Sequence, residues 1–193
     1  MKTITLIALL WLAATSSFAG GILVGQPLPQ LEISERGELL LEDDDVSYSA
    51  WQLPQQPGKA HVLQYMAGTA GASKLNEPFT ERLKVTADLD ILVTTVINLD
   101  DATWGTSGFV VSEVKKNKRL FPMSQLVLDD DGHGRETWLL PRKSSAIVIT
   151  DAAGIVLYVK EGAMDESEIE QALELLRNNS SPTALGTDTA VSS

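Results

Sequence analysis

The chain has 193 residues, a formal net charge of −11 and no cysteine. That length accommodates one domain with a sizeable core. The acidic balance argues against nucleic acid and anionic membrane as partners, and the lack of sulfhydryl groups rules out disulfides and thiol chemistry.

Met1-Lys2 supplies a short positive start, and residues 4–14 form an apolar run of the length found in secretory signals. Ser17-Phe18-Ala19 then places small residues at −3 and −1, which predicts cleavage after Ala19 and a mature domain over residues 20–177. The apolar run is shorter than the roughly 20 residues needed to span a bilayer. No cysteine follows it, so no lipid attachment is expected and the mature chain is free of the membrane.

Gly25-Gln26-Pro27-Leu28-Pro29 is a rigid, extended lead-in, because each proline fixes φ and biases its predecessor away from the helical region. Residues 31–33 and 38–41 read as two short strands joined by a turn at Arg36-Gly37. Glu42, Asp43, Asp44 and Asp45 read as a solvated acidic loop, since no further ligands stand at calcium-loop spacing. Residues 52–59, with Pro54, Pro57 and Gly58, form a turn.

The next stretch organises the rest. Residues 60–66 read as a buried strand, residues 67–73 as a small-residue loop, and Leu75, Phe79 and Leu83 recur at helical spacing on one face. Pro78 lies inside that pattern and is expected to kink the helix. The loop stands where a strand's carboxyl end meets a helix, the usual place for chemistry in α/β proteins, yet it holds no thiol, imidazole or carboxylate. His61, early in the strand, reads as a packed or edge residue.

Residues 90–98 form a β-branched apolar run suited to a parallel strand buried on both faces. Thr106 or Ser107 can cap a helix that turns Val110, Val111 and Val114 inward and Lys115, Lys116, Lys118 and Arg119 outward. Residues 124–128 are a further strand. Asp129, Asp130, Asp131 and His133 invite a metal reading, but a calcium loop would need a carboxylate where Leu140 stands, so the segment reads as a polar turn. Residues 136–140 continue as a strand or a helical turn. Residues 146–150 and 155–160 make a hairpin about a turn at 151–154. Asp165 and Glu168 form a capping box for a last helix with Ile169, Ala172, Leu173 and Leu176 inside, ending at Asn178-Asn179. Residues 178–193, rich in Ser, Thr and Ala, are expected to be a disordered tail.

The order is an N-terminal hairpin, β, α, β, α, β, a second hairpin and α. It predicts an α/β domain with a mixed central sheet flanked by helices. Gly25 to Pro29, Gly58-Lys59, Gln64-Tyr65-Met66-Ala67, the spacing from Ser73 to Pro78, and Asp151 to Gly154 make the chain resemble an exported thioredoxin-fold protein of the peroxiredoxin-like branch. Arg36-Gly37-Glu38-Leu39, Val62-Leu63-Gln64, Ala67-Gly68, Asn98-Leu99-Asp100-Asp101-Ala102 and Ser144-Ser145-Ala146 make it more specifically similar to the YtfJ family of small periplasmic bacterial proteins. That family has no settled biochemical activity, and a regulator label sometimes attached to it conflicts with the acidity and export argued above.

The resemblance implies a periplasmic scaffold in which Ala70 and Ser73 stand at the two positions of the redox Cys-x-x-Cys motif, with Ser145 where the facing cis-proline would be. Oxidoreductase and peroxidase activity are then not expected, nor is any cofactor or metal. A non-proline cis bond costs about 3 kcal/mol, so the Ser144–Ser145 bond is expected to be trans. The surface to watch comprises Gly68, Thr69, Ala70, Gly71 and Ser73, with Ser144 and Ser145 opposite. The expected role is non-enzymatic binding of a periplasmic protein or a small anion. The alternative is a hydrolase or transferase with Ser73 or Thr69 as nucleophile, for which His61 and His133 are the only imidazoles.

Overall fold

A computed structural model describes residues 21–86 and 89–182. The expected signal segment (1–19) and residues 183–193 of the expected tail lie outside the described residues. The elements in chain order are β1 (Glu32–Glu42), β2 (Asp45–Gln52), β3 (Ala60–Ala67), α1 (Ala70–Leu75), α2 (Glu77–Lys84), β4 (Leu89–Asn98), α3 (Ser107–Leu120), β5 (Gln125–Asp129), α4 (His133–Thr137), β6 (Ser145–Thr150), β7 (Val156–Glu161), α5 (Glu166–Asn179) and β8 (Ser181–Pro182).

Seven strands form one mixed sheet in the order β2-β1-β5-β4-β3-β6-β7. β3, β4 and β5 are parallel; the other pairings in the sheet are antiparallel. β8, at the start of the expected tail, pairs antiparallel with Leu89 and Asp90 at the beginning of β4.

The alternation of side chains along each strand assigns the helices to faces. Val62 on β3 and Ile147 and Ile149 on β6 pack with Phe79 of α2 and with Ile169, Ala172, Leu173 and Leu176 of α5. Ile97 of β4 and Leu128 of β5 pack with Val114 of α3 on the same face. The opposite face carries Leu63, Tyr65, Val96 and Val127, covered by Leu28, Leu31, Trp51, Leu53 and Trp138. Among the described residues the helices therefore flank the sheet unequally: α2, α3 and α5 on one face, and on the other five-residue α4 together with irregular chain. Successive right-handed crossovers from β3 to β4 to β5 place their helices on one side.

Four sequence expectations are corrected. Residues 31–33 and 38–41 are not two strands but one, bulged between Ile33 and Glu38. Gly37 supplies the bulge, at φ +65°, with the backbone of Ser49 where a Cβ would lie. The hairpin turn is instead Asp43-Asp44, both at positive φ, a conformation that aspartate tolerates; residues 45–52 return as a strand. Pro78 does not kink one helix. It falls in the first turn of a second helix, where its missing N–H costs nothing, and the break lies at Asn76. Thr106 stands at the start of α3, but its hydroxyl donates to the Thr103 carbonyl instead of capping. Lys118 is buried, not outward, and its Nζ donates to the Ser124 carbonyl at 2.7 Å.

The Asp165–Glu168 capping box and the buried stripe of α5 are present as expected. Asp129, Asp130, Asp131 and His133 do form a polar turn. The Asp129 carboxylate accepts from the His133 and Gly134 backbone N–H groups and from Tyr65 Oη, all within 2.9 Å. It thereby satisfies the first two N–H groups of α4, and residues 136–140 take the helical alternative only through Thr137. Burial, and then the neighbouring Asp129, raises the Tyr65 phenol well above its ordinary pKa, so it remains a donor. Tyr65 meets Trp138 edge-on at 5.8 Å.

His61 is packed inside, 1% exposed, and Nε2 lies 2.8 Å from Thr94 Oγ1. Burial lowers its pKa to about 4. An unfolded imidazole near 6.5 takes up a proton that the folded one refuses, so stability falls as pH drops from about 6.5 to about 4. The loss attributable to this group is about 3 kcal/mol. Denaturant unfolding of wild type and His61→Gln across this window should show wild type losing about that much relative to the variant; parallel pH profiles would contradict it.

Candidate functional site

The residues singled out from the sequence do assemble at one junction. β3 ends at Ala67, and α1 begins at Ala70. Thr69 is the N-cap, its hydroxyl accepting from the Ala72 N–H at 3.2 Å. Gly68 donates to the Asn98 carbonyl at 2.7 Å, so the loop is tied to the end of β4. A methyl on Gly68 would sit 3.1 Å from that carbonyl and 3.4 Å from Leu99 Cδ2 and Val110 Cγ1, a tight fit that would require the neighbours to give by a few tenths of an ångström. Gly71 faces open space.

Ser144 and Ser145 lie against the same loop. The Ser144 carbonyl accepts from Ala67 N–H at 2.9 Å, and Ser145 pairs with Met66 across the β3–β6 ladder. The Ser144–Ser145 peptide is trans, as expected. Ala70 and Ser73 are exposed on the first turns of α1, and Ser73 Oγ donates to the Ala70 carbonyl at 3.1 Å.

No imidazole hydrogen-bonds to Ser73 or Thr69 among the described residues. His61 stands near the start of β3, roughly 20 Å from its carboxyl end at about 3.3 Å per residue. His133 is exposed at the start of α4. The structure therefore brings together the loop and the facing serines, and among the described residues neither histidine is hydrogen-bonded to them. Among the described residues no cluster of three His, Cys, Asp or Glu side chains could hold a metal ion.

Two sets of residues went unnoticed in the sequence. Asn76, 1% exposed at the break between α1 and α2, donates from Nδ2 to Ser145 Oγ and accepts on Oδ1 from the Met164 N–H, each at 3.2 Å. One side chain thus joins the helix break, the facing strand and the segment leading into α5. Asp101 pins the neighbouring loops. It accepts from Asn98 Nδ2 and Lys143 N–H, and it pairs with Arg142 Nε at 2.9 Å. An asparagine immediately before Glu-Pro was the available signal for the first set, since it marks a helix start; nothing local signalled the second.

The apolar surroundings of the loop are also informative. Trp104 is 98% exposed and Phe109 68% exposed. Both lie in the segment between Asn98, whose carbonyl accepts from the Gly68 N–H, and Val110 of α3.

Among solved structures, the chain is similar to the thioredoxin domain of a thiol-disulfide oxidoreductase from Bacteroides vulgatus, at 11% identity, a TM-score of 0.52, and coverage of 80% of this chain and 98% of that one. The fold is thioredoxin-like. It is also similar to the uncharacterized protein YtfJ of Escherichia coli, 39% identical over 79% of this chain and 84% of the relative. An uncharacterized protein of Haemophilus influenzae is 34% identical over 84% of this chain and 90% of the relative.

Removing the Asn76 side chain leaves the Met164 N–H and the Ser145 hydroxyl buried without that partner, a cost of about 1–3 kcal/mol. Ser73→Ala removes only an exposed bond, within about 0.5 kcal/mol. Urea unfolding should separate Asn76→Ala from Ser73→Ala by that margin; equal midpoints would show that Asn76 does not hold the junction.

The model of the family described as "Bacterial protein of unknown function (YtfJ_HI0045)" matches residues 22–179, and with the two relatives it establishes that this chain belongs to the YtfJ family.

Proposed function

We propose that this chain is an exported, non-enzymatic interaction protein, and that its partner docks on the surface at the carboxyl end of β3. The observation that carries the reading is Trp104, almost wholly exposed in the segment that leaves the end of β4, to which the Gly68 loop is hydrogen-bonded; that loop holds no thiol, imidazole or carboxylate. Exposed indoles are costly in water and over-represented at the centres of interfaces. Phe109, at the start of α3, is a second exposed aromatic in the same segment.

A protein partner fits this surface better than a small anion. Helix α1 is only six residues long and carries little dipole. Its first N–H groups are largely committed: Ala72 N–H to Thr69 Oγ1 and Ser73 N–H to the Thr69 carbonyl. Ala70 and Gly71 N–H alone remain for an incoming acceptor. The formal charge of −11 also favours a protein over a nucleic acid, which weighs against a regulator acting on DNA. The amino-terminal pattern ending at Ala19 supports export to the periplasm with a mature chain starting at Gly20.

The test is a pull-down from periplasmic extract with wild type, Gly71→Trp and Trp104→Ser. Gly71 faces open space, so a tryptophan there blocks the surface without disturbing the core. A partner captured by wild type and lost by both variants is the expected result. Equal recovery of every partner by all three forms would remove this surface from consideration.

A further inference from the structure

The face of the sheet that lacks long helices carries a polar row across it. Gln125 Nε2 donates to Glu38 Oε2 at 3.2 Å, and Thr94 Oγ1 donates to Gln125 Oε1. With its only proton committed there, Thr94 Oγ1 accepts from His61 Nε2 at 2.8 Å. The network thereby assigns the tautomer: Nε2 carries the hydrogen, and Nδ1 is an acceptor with no partner among the described residues. Thr150 is the cross-strand partner of His61 and shares its face. Its hydroxyl is buried, at 2% residue exposure, and it too has no partner among the described residues. Buried hydroxyls are nearly always bonded, so this one calls for an explanation.

Both groups line a cleft of about 1140 Å³ whose other walls include Leu28, Leu53, Leu63 and Ala153. Among the described residues no long helix covers this end of the face, which leaves the cleft open. It lies at the amino end of β3, at the opposite end of the strand from the loop of the proposed interface. Ligand sites combine an apolar wall with a few placed polar groups, and this cleft has that composition.

We infer that the cleft is a binding site for a neutral, largely apolar small molecule that carries one hydroxyl or N–H group, with His61 Nδ1 accepting from that group and the Thr150 hydroxyl completing its hydrogen bonds. An anion is disfavoured because the base presents an imidazole kept uncharged by burial and a hydroxyl, and the lining residues include no cation and one carboxylate, Glu136; a neutral ligand suits the apolar walls. This site is separate from the docking surface, and it stands whether or not that surface binds a protein.

The probe is 1-naphthol, which is neutral and largely apolar, has one hydroxyl that can donate to His61 Nδ1 and accept from Thr150 Oγ1, and whose neutral-form fluorescence rises when it leaves water. Titration into the purified mature chain should give a saturable rise in fluorescence. Ala153→Trp, at an exposed position on the rim, should abolish the rise. Thr150→Val, which keeps the shape and removes the hydroxyl, should weaken binding about fivefold, the loss of one hydrogen bond. Gly71→Trp should leave it unchanged, which distinguishes this site from the loop. In wild type, the His61 Nδ1 nitrogen NMR resonance should move on adding the probe, a readout that needs no variant to fold. The inference is overturned if wild type shows no saturable binding, if affinity is unchanged in Ala153→Trp or Thr150→Val, or if the His61 resonance stays fixed.

Discussion

Strand β3 is hydrogen-bonded along both edges, from Ala60 to Ala67 against β4 and from His61 to Met66 against β6. A strand held on both sides cannot slip by one residue without turning every side chain to the wrong face. Here a slip would drive His61 into the helical layer and expose Val62, so both ladders and both cores oppose it. The fixed register sets what each end of the strand presents. Its carboxyl end delivers the Gly68-Thr69 loop onto α1, and its amino end places His61 opposite Thr150. The two surfaces assigned a role here are the two ends of this one strand.

The asymmetry of the helices follows from topology. β3, β4 and β5 run parallel and in sequence across the sheet, so right-handed connections bring α1, α2 and α3 to one side, and α5 joins them there. The other face is left to α4 and irregular chain. That face is closed near the carboxyl ends by Tyr65, Trp138 and Leu31, with Gly134 so tightly placed that a methyl would meet the Tyr65 ring at 2.5 Å. Toward the amino ends nothing comparable covers it among the described residues, and a cleft remains over His61 and Thr150. The basic residues at the end of α3 have a structural task on the helical side. Arg119 binds Asp44 of the β1–β2 turn, and Lys115 lies 5.3 Å from the Tyr48 ring.

Much of this was legible in the chain because the signals are local. Continuous apolar runs gave β3, β4 and β6 within a residue or two, and Asp165 with Glu168 announced α5 through its capping chemistry. The strand-to-helix junction was locatable because small residues between an apolar run and a helical pattern have few other uses, but the loop expected over residues 67–73 is only Gly68-Thr69, since Thr69 caps α1 and Ala70 to Ser73 are already helical. What escaped notice depended on distant partners. Asn76 meets Ser145 and Met164, 69 and 88 residues away, and no spacing announces such contacts. Gly37 misled for a physical reason: positive φ serves a turn and a bulge equally well, and only the register of β2 distinguishes them. Pro78 misled likewise, because a proline can break a helix or begin the next one. The exposure of Trp104 was not foreseeable, since an indole in a loop is as often buried as displayed.

The central claim is that the Gly68 to Ser73 junction keeps the geometry of a dithiol site while lacking its sulfur. The most direct measurement restores the sulfur. Ala70→Cys with Ser73→Cys should form an intramolecular disulfide, detected by mass and thiol titration, and should reduce insulin while wild type does not. A double variant whose thiols stay free under oxidising conditions, or a wild-type chain that itself reduces insulin, would contradict the account.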